Sequence, residues 1–312
     1  MLQYLVILLD DTSTSFCHYE VTPGQRRLIN LENLRKGIRL AMMQGLKIQF
    51  VYPDYEIPEE WKREIETVGH CKIMPASLAD NNANVVVADN WDFEYAIKLQ
   101  KPTTIRVRKD RLFEDYMRIL PLMKAVPNLN VVILDIDTFD DKDYETYKSV
   151  LSSLSVELKN MYIEGRTPLI NLLTDRMVLS SMNNCNAGDS TITLAPDGNF
   201  YICPAFYYES DKDNIGNIKE GLKIKNQQLY KVDYAPICRH CDAYQCKRCV
   251  WLNKRLTKEV NTPSQEQCIT AHLERNASRE LLYLIREYGD FLSDKEITKI
   301  DYLDPFENRK EW

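Results

Sequence analysis

The chain has 312 residues and a mass of 36.5 kDa, enough for one large domain or two ordinary ones. Its 40 Lys and Arg against 46 Asp and Glu give a net charge of −6, without the basic excess that marks nucleic-acid-binding proteins. No window approaches the roughly 18 apolar residues of a membrane helix, and the apolar start is too short for a signal peptide. We therefore expect a cytoplasmic protein with neither a nucleic-acid nor a membrane partner.

The first 165 residues alternate between short β-type runs and helical patterns, which predicts an α/β fold with parallel strands. The apolar run at residues 5–9 predicts a buried first strand. Helical spacing then follows, with Asn30 as a candidate N-cap and Gly45 as a candidate stop. Further strands are predicted at residues 48–52, 84–88, 104–107 and 131–134, and further helices at residues 59–68, 91–99, 112–125 and 144–162. A partial barrel and an open doubly wound sheet both agree with this order.

Two features of this half bear on its chemistry. The sequence has only ten glycines and neither G-x-G-x-x-G nor a P-loop, which argues against a nucleotide held by a Gly-rich loop. Carboxylates follow predicted strand ends, where an α/β barrel has its active site, although solvation or helix capping also explains them. These carboxylates are Asp10, Asp11, Asp135 and Asp137.

The cysteines are distributed very unevenly, because seven of the nine lie between Cys185 and Cys268. Alternating apolar and polar residues on both sides of Pro196-Asp197-Gly198 predict a β-hairpin that returns Cys203 towards Cys185. Two C-x-x-C pairs then follow, separated by only four residues against roughly 15–20 in a zinc ribbon. Thiolates select zinc, cuprous copper or iron–sulfur clusters. Seven cysteines exceed the four ligands of one zinc and are one short of two iron–sulfur clusters, so the spacing favours iron–sulfur and leaves zinc as the alternative.

The pattern C-x12-G-x4-C, C-x2-C-x4-C-x2-C and a last Cys resembles the SPASM domain, the auxiliary-cluster module of radical S-adenosylmethionine (SAM) enzymes that mature peptides and proteins. The resemblance covers residues 183–280, with the two later gaps of the central motif each one residue shorter than usual. It implies two [4Fe–4S] clusters, with one ligand position of the first open or filled by Cys17 or Cys71. An isolated cysteine such as Cys71 is more often a small buried apolar residue. The implied ligands are Cys185, Cys203 and Cys249 for the first cluster, and Cys238, Cys241, Cys246 and Cys268 for the second.

If the C-terminal half is SPASM-like, the N-terminal half should be a partial (β/α) barrel resembling radical SAM. Such barrels carry C-x3-C-x2-C after the first strand, but Asp10 and Thr14 stand at the first two positions here and only Cys17 remains. We therefore expect no SAM binding and no self-sufficient radical SAM enzyme. The expected divisions are the barrel at residues 1–180, a small cysteine-rich α+β domain with a C-terminal helix at 181–292, and a charged tail at 293–312.

A narrower resemblance rests on residues 246–257 and 267–278, which are similar to the CXXX repeat peptide maturase family. It implies a maturation factor for a ribosomally synthesised Cys-x-x-x repeat peptide, with a radical SAM maturase and the Cys-rich precursor peptide as partners. The alternative is a zinc-stabilised module that binds and presents the peptide without a redox role. Lys247 and Arg248 stand between the cysteines, where they could offset cluster charge or face solvent.

Overall fold

The computed structural model describes residues 2–21, 26–182 and 185–305. No helix in these ranges is long and apolar enough to cross a membrane. The strands in the described part of the chain are β1 (Tyr4–Leu8), β2 (Lys47–Val51), β3 (His70–Pro75), β4 (Val85–Asp89), β5 (Thr103–Val107), β6 (Asn128–Ile133), β7 (Leu169–Ile170), β8 (Thr191–Leu194), β9 (Phe200–Tyr201), β10 (Gly216–Asn217) and β11 (Gly221–Leu222).

The helices alternate with the first seven strands and then dominate the C-terminal part. They are α1 (Leu31–Gln44), α2 (Glu59–Ile65), α3 (Glu94–Leu99), α4 (Lys109–Asp115), α5 (Ile119–Ala125), α6 (Asp141–Ile163), α7 (Asp175–Val178), α8 (Pro204–Glu209), α9 (Val250–Thr257) and α10 (Gln265–Arg286).

One sheet of nine strands organises the fold, in the order β7-β6-β5-β4-β3-β2-β1-β8-β9. Strands β1 to β8 pair in parallel, and β9 pairs antiparallel to β8. Helices separate most of the parallel strands, so the expected α/β class is confirmed. Because β7 and β9 are the two ends of this order, the sheet does not close, and the unreversed run of strands from β7 to β1 fits the predicted partial barrel.

Local chemistry explains where the first elements begin and end. All residues of β1 after Tyr4 are buried, as a parallel strand covered on both faces requires. The Asn30 side chain accepts the backbone N–H of Asn33 at 2.8 Å and caps α1, and Gly45 ends that helix at φ 65°. Both predicted ends of α1 are therefore confirmed.

Two elements differ from the sequence prediction. The predicted helix at 112–125 is interrupted by a 3₁₀ turn at Tyr116–Arg118, which separates α4 from α5. Pro121 lies in the first turn of α5, where its missing N–H costs no hydrogen bond. Strand β3 was not predicted, because only Ile73 among its six residues is buried and its sequence lacks an apolar run.

The C-terminal part packs directly against the barrel. Helix α10 packs along α6, and Leu281 and Ile285 on its face are fully buried, whereas Tyr288 beyond its end is 57% exposed. Residues 293–305 pack back onto α10, where Arg275 donates to the Thr298 carbonyl at 2.8 Å. The rest of the predicted tail, residues 306–312, lies outside the described residues. Strands β8 and β9 extend the barrel sheet from beyond residue 180, and the predicted domain division stays a prediction.

Candidate functional site

The β8–β9 hairpin brings distant cysteines to one wall of a cavity. It turns at Pro196-Asp197-Gly198, as predicted, with Gly198 at φ 83° and Thr193 paired with Tyr201. The cavity has a volume of about 610 Å³ and extends from the barrel interior to the cysteine-rich segment. Cys203, which follows β9, lines it together with Cys185. The predicted return of Cys203 towards Cys185 is therefore confirmed.

Four cysteines line this cavity, namely Cys17, Cys185, Cys203 and Cys249, called here the first cysteine group. Burial raises the pKa of each thiol, that of Cys249 to about 12. Repulsion between the thiolates acts across every pair of the group and adds to this rise, so all four sulfurs are mutual neighbours. Cys185 is exposed as a whole residue, but it lies in the cavity wall, where the surrounding protein atoms still desolvate its thiol.

The second cysteine group consists of Cys238, Cys241, Cys246 and Cys268. Burial again raises the pKa of every thiol, that of Cys238 to about 12, and thiolate repulsion acts across every pair. Cys238 opens a 3₁₀ turn and Cys268 lies in the first turns of α10. His272, one turn further along α10, places its Nε2 3.6 Å from the Cys241 sulfur.

Backbone amides point at several of these sulfurs. The N–H groups of Ala243 and Arg248 each donate to the sulfur of the cysteine two residues earlier, Cys241 and Cys246, at 3.4 Å. The amides of Ala187, Ala205 and Trp251 are placed in the same way and act against the rise in pKa of the cysteine two residues before each. Amides aimed at sulfur stabilise thiolates and tune the potential of a bound cluster.

Two basic side chains lie among the cysteines. Lys247 lines the cavity, and its positive charge opposes the rise in the pKa of Cys17 and Cys185. Arg248 is 7% exposed, and its charge opposes the rise in the pKa of Cys185 in the first group and of Cys238 in the second. Arg248 therefore lies between the two cysteine groups. Its Nη2 donates to the Tyr230 carbonyl, while its buried Nη1 has no partner among the described residues. A buried guanidinium left partly unpaired fits a position between two negatively charged groups.

The loop after β1, where a radical SAM barrel has three cysteines, is held by oxygen and nitrogen contacts. Asp10 is fully buried, and its carboxylate accepts the Thr12 N–H at 2.8 Å and the Tyr55 hydroxyl at 2.7 Å. The Thr14 amide donates to the Tyr52 carbonyl at 2.9 Å. Asp10 and Thr14 thus serve the loop backbone and the strand beside it, and neither supplies a thiolate.

The donor sets can be compared with the groups they could hold. No three His, Cys, Asp or Glu side chains in residues 2–21, 26–182 and 185–305 are grouped to hold a metal ion. A cubane cluster demands a wider arrangement, because each cysteine binds a different iron at its own corner. Two groups of four neighbouring thiols, faced by amides and an unpaired guanidinium nitrogen, fit such clusters in donor chemistry. The ligand assignment itself stays a prediction.

Other residues at the site carry no motif in the sequence. Arg106 on β5 is 5% exposed and binds the loop that bears Cys17. Tyr208 on α8 stacks on Tyr19 of the same loop, with ring centroids 5.4 Å apart. Neither could be recognised before the fold was known, although a charged residue between Ile105 and Val107 in a predicted strand is a local signal that Arg106 has buried partners.

Comparison with known proteins gives the fold. No family model and no curated protein sequence matches the chain, whereas solved structures do. Hexahistidine-tagged anSMEcpe with bound AdoMet matches with a TM-score of 0.64 at 12% identity, over 94% of this chain and 97% of that chain. Native anSMEcpe with bound AdoMet and Cp18Cys peptide matches with a TM-score of 0.64 at 13% identity, over 92% and 100%. Streptococcus suis SuiB bound to precursor peptide SuiA matches with a TM-score of 0.50 at 13% identity, over 86% and 76%. At these identities the similarity concerns the fold, and it confirms the predicted radical-SAM-like partial barrel.

Proposed function

We propose that this chain is a maturation factor for a ribosomally synthesised Cys-x-x-x repeat peptide, that it carries two [4Fe–4S] clusters, and that it acts beside a catalytic radical SAM enzyme. One observation carries the proposal: every cysteine except Cys71 belongs to one of two groups of four mutual neighbours. An arrangement of that kind supports two polynuclear or metal centres, because clustered thiols in a reducing compartment more often serve as ligands than as disulfides, and the described residues contain no disulfide.

The residues that would hold the clusters are Cys185, Cys203 and Cys249 for the first, and Cys238, Cys241, Cys246 and Cys268 for the second. Bound there, the clusters would supply one-electron transfer. The chain provides what such a centre needs around it, because Lys247 and Arg248 offset negative charge and backbone amides face the sulfurs.

The proposal assigns SAM chemistry to the partner. A SAM-cleaving cluster needs three thiolates after the first strand, and at that place Asp10 is fully engaged with Thr12 and Tyr55. The remaining cysteine, Cys17, belongs to the first cysteine group and lines the cavity with Cys185, Cys203 and Cys249. A hydroxyl such as that of Thr14 is a poor iron ligand compared with a thiolate.

The cavity supports binding of the peptide to this chain. Its volume of about 610 Å³ lies within the range of ligand pockets, roughly 300–1,000 Å³. Thr193 and Asn130 line it, and each has a buried oxygen without a hydrogen-bond partner among the described residues. Such groups suit the amides of an extended peptide. Two of the similar folds, anSMEcpe and SuiB, were solved with peptides bound to them.

Anaerobic purification followed by iron, sulfide and zinc analysis tests the proposal. We expect about eight irons and eight sulfides per chain, a brown colour, and no 5′-deoxyadenosine when SAM and a reductant are added. Addition of the partner enzyme and a Cys-x-x-x peptide should then give a modified peptide whose yield depends on this chain. A colourless protein with stoichiometric zinc would instead establish the peptide-presentation alternative, and SAM cleavage by this chain alone would contradict the division of labour.

A further inference from the structure

Cys17 lies far from the other cysteines in sequence but beside three of them in space. It belongs to the loop after β1, whereas Cys185, Cys203 and Cys249 belong to the cysteine-rich segment. All four line the same cavity. Cys17 is close enough to each of the other three for their thiolates to repel one another, which acts to raise the pKa within all three pairs.

The loop is built to hold Cys17 in this position. The buried guanidinium of Arg106 donates through Nε to the Cys17 carbonyl at 3.0 Å and through Nη2 to the Tyr19 carbonyl at 2.7 Å. Its Nη1 is bound to Asp89 at 3.0 Å, so all three nitrogens have partners. A guanidinium spanning two carbonyls fixes the backbone of residues 17–19 more firmly than either bond alone.

The neighbours of Cys17 in sequence are anchored as well. His18 Nδ1 lies 3.0 Å from the Ile133 carbonyl at the end of β6, and burial lowers the pKa of this imidazole to about 4. A neutral ring therefore donates its Nδ1 hydrogen to that carbonyl. On the other side, Tyr19 stacks on Tyr208 of α8, the helix that begins directly after Cys203. The loop is thus attached both to the barrel and to the segment that bears the other sulfurs.

Cys71, the other isolated cysteine, is placed differently. It lies on β3 and packs with the apolar core beside the first half of the sheet. It is not among the residues that line the cavity, and burial alone raises its pKa. The sequence left both cysteines as candidates for the fourth ligand position. Their positions in the fold favour Cys17 over Cys71.

We propose that Cys17 is the fourth ligand of the first cluster, so that a residue standing where radical SAM barrels bind their SAM-cleaving cluster has been recruited to an auxiliary one. This inference rests on the proposed function. Binding releases the thiol proton and completes four thiolates around the cluster. The first cluster then has no open iron, which assigns it to electron transfer and not to capture of a substrate thiolate.

The test compares three chains purified anaerobically: the wild type, Cys17→Ser and the matched control Cys71→Ser. We expect about eight irons per chain in the wild type and in C71S. In C17S we expect either a fall to about four irons, or full loading with an altered electron paramagnetic resonance spectrum of the dithionite-reduced protein, which changes again when cyanide is added. Equal iron content and identical spectra in all three chains would overturn the assignment.

A second measurement uses only the wild type, so it does not depend on the folding of a variant. Cyanide binds an iron that lacks a protein ligand, and we expect it to leave the spectrum of the loaded, dithionite-reduced wild type unchanged. A spectral change would reveal an open iron and refute the role of Cys17 while leaving the clusters themselves in place. Absence of iron from the wild type would instead contradict the proposed function, so the two failures are distinguishable.

Discussion

A buried charge network next to the second cysteine group makes the sharpest stability prediction. Asp242, which follows Cys241, accepts hydrogen bonds from Arg275 Nε at 2.6 Å and Arg275 Nη2 at 2.7 Å. It also accepts one from Arg176 Nη2 at 2.9 Å. The side chain of Arg275 is 0% exposed and that of Arg176 is 7% exposed. Replacing Asp242 by Asn keeps the shape of the side chain but leaves two buried guanidinium groups without their anion.

The size of the effect follows from this geometry. Removing one partner of a buried ion pair costs about 3–5 kcal/mol, because the remaining charge stays desolvated. The Asp242 side chain is 31% exposed, so water compensates in part and we take the lower end, about 3 kcal/mol. Burial acts to raise the pKa of Asp242, but its bonds to the two arginines outweigh this and lower it. The stabilisation is therefore present above the unfolded carboxyl pKa and is lost as the pH falls through the lowered folded value.

Urea unfolding of anaerobically purified protein at pH 7 measures this difference, with iron content checked in each sample. The control is Glu32→Gln, which removes an exposed i,i+4 pair with Lys36 and should leave the unfolding midpoint unchanged. We expect D242N to unfold at a clearly lower urea concentration than the control, with the difference shrinking in acid. Equal midpoints at pH 7 would refute the expectation that Asp242 stabilises the fold by pairing with the two buried guanidinium groups.

Two further predictions concern single residues. Burial raises the pKa of Glu274 to about 7, against the hydrogen bond that the Tyr147 hydroxyl donates to it at 2.8 Å, which acts to lower the pKa. The protonated side chain therefore contributes stability that is fully present below the unfolded carboxyl pKa and is lost as the pH rises through 7. Glu274→Gln should therefore gain up to about 3 kcal/mol relative to the wild type between pH 5 and pH 8 by urea unfolding, and equal pH dependence in both proteins would contradict this. Gly216 has φ 115°, and a Cβ there would lie 2.1 Å from the Gly221 carbonyl oxygen, so Gly216→Ala should lose about 1–3 kcal/mol. Gly69→Ala, where nothing lies within 4 Å of the added carbon, is the control, and an equal midpoint for both variants would count against the strain argument.

The sequence predicted best those features that depend on local chemistry. Asn30 and Gly45 end α1 through contacts within a few residues, and the Pro-Asp-Gly turn sets the β8–β9 hairpin. Strand β3 was not predicted because its side chains, such as Cys71 and Lys72, are only half-buried and show no apolar pattern. Its position is set by backbone pairing with β2 and β4. Such pairing depends on tertiary structure.

The residues of the candidate site also divide into those that the sequence predicted and those that required the fold. Seven cysteines were recognisable from their clustering between residues 185 and 268, and the two C-x-x-C pairs bring the sulfurs of four of them together locally. The position of Cys17 required the fold, since a buried Arg106 on β5 holds its loop and a strand from residue 191 onward brings the other sulfurs to it. The sequence could therefore name Cys17 and Cys71 as candidates for the fourth ligand of the first cluster, and the geometry favours Cys17.

The place of β1 in the sheet has a consequence for biosynthesis. Among the described strands of this sheet β1 is synthesised before the others, yet one of its two neighbours is β8, whose pairing residues begin at Thr191. At translation rates of about 5–20 residues per second, that edge waits on the order of ten seconds or more for its partner. An apolar strand with an unpaired edge is a template for aggregation during that interval. We expect nascent chains truncated before residue 191 to be poorly soluble and to depend on chaperones, and those extended past the hairpin to be released from that dependence.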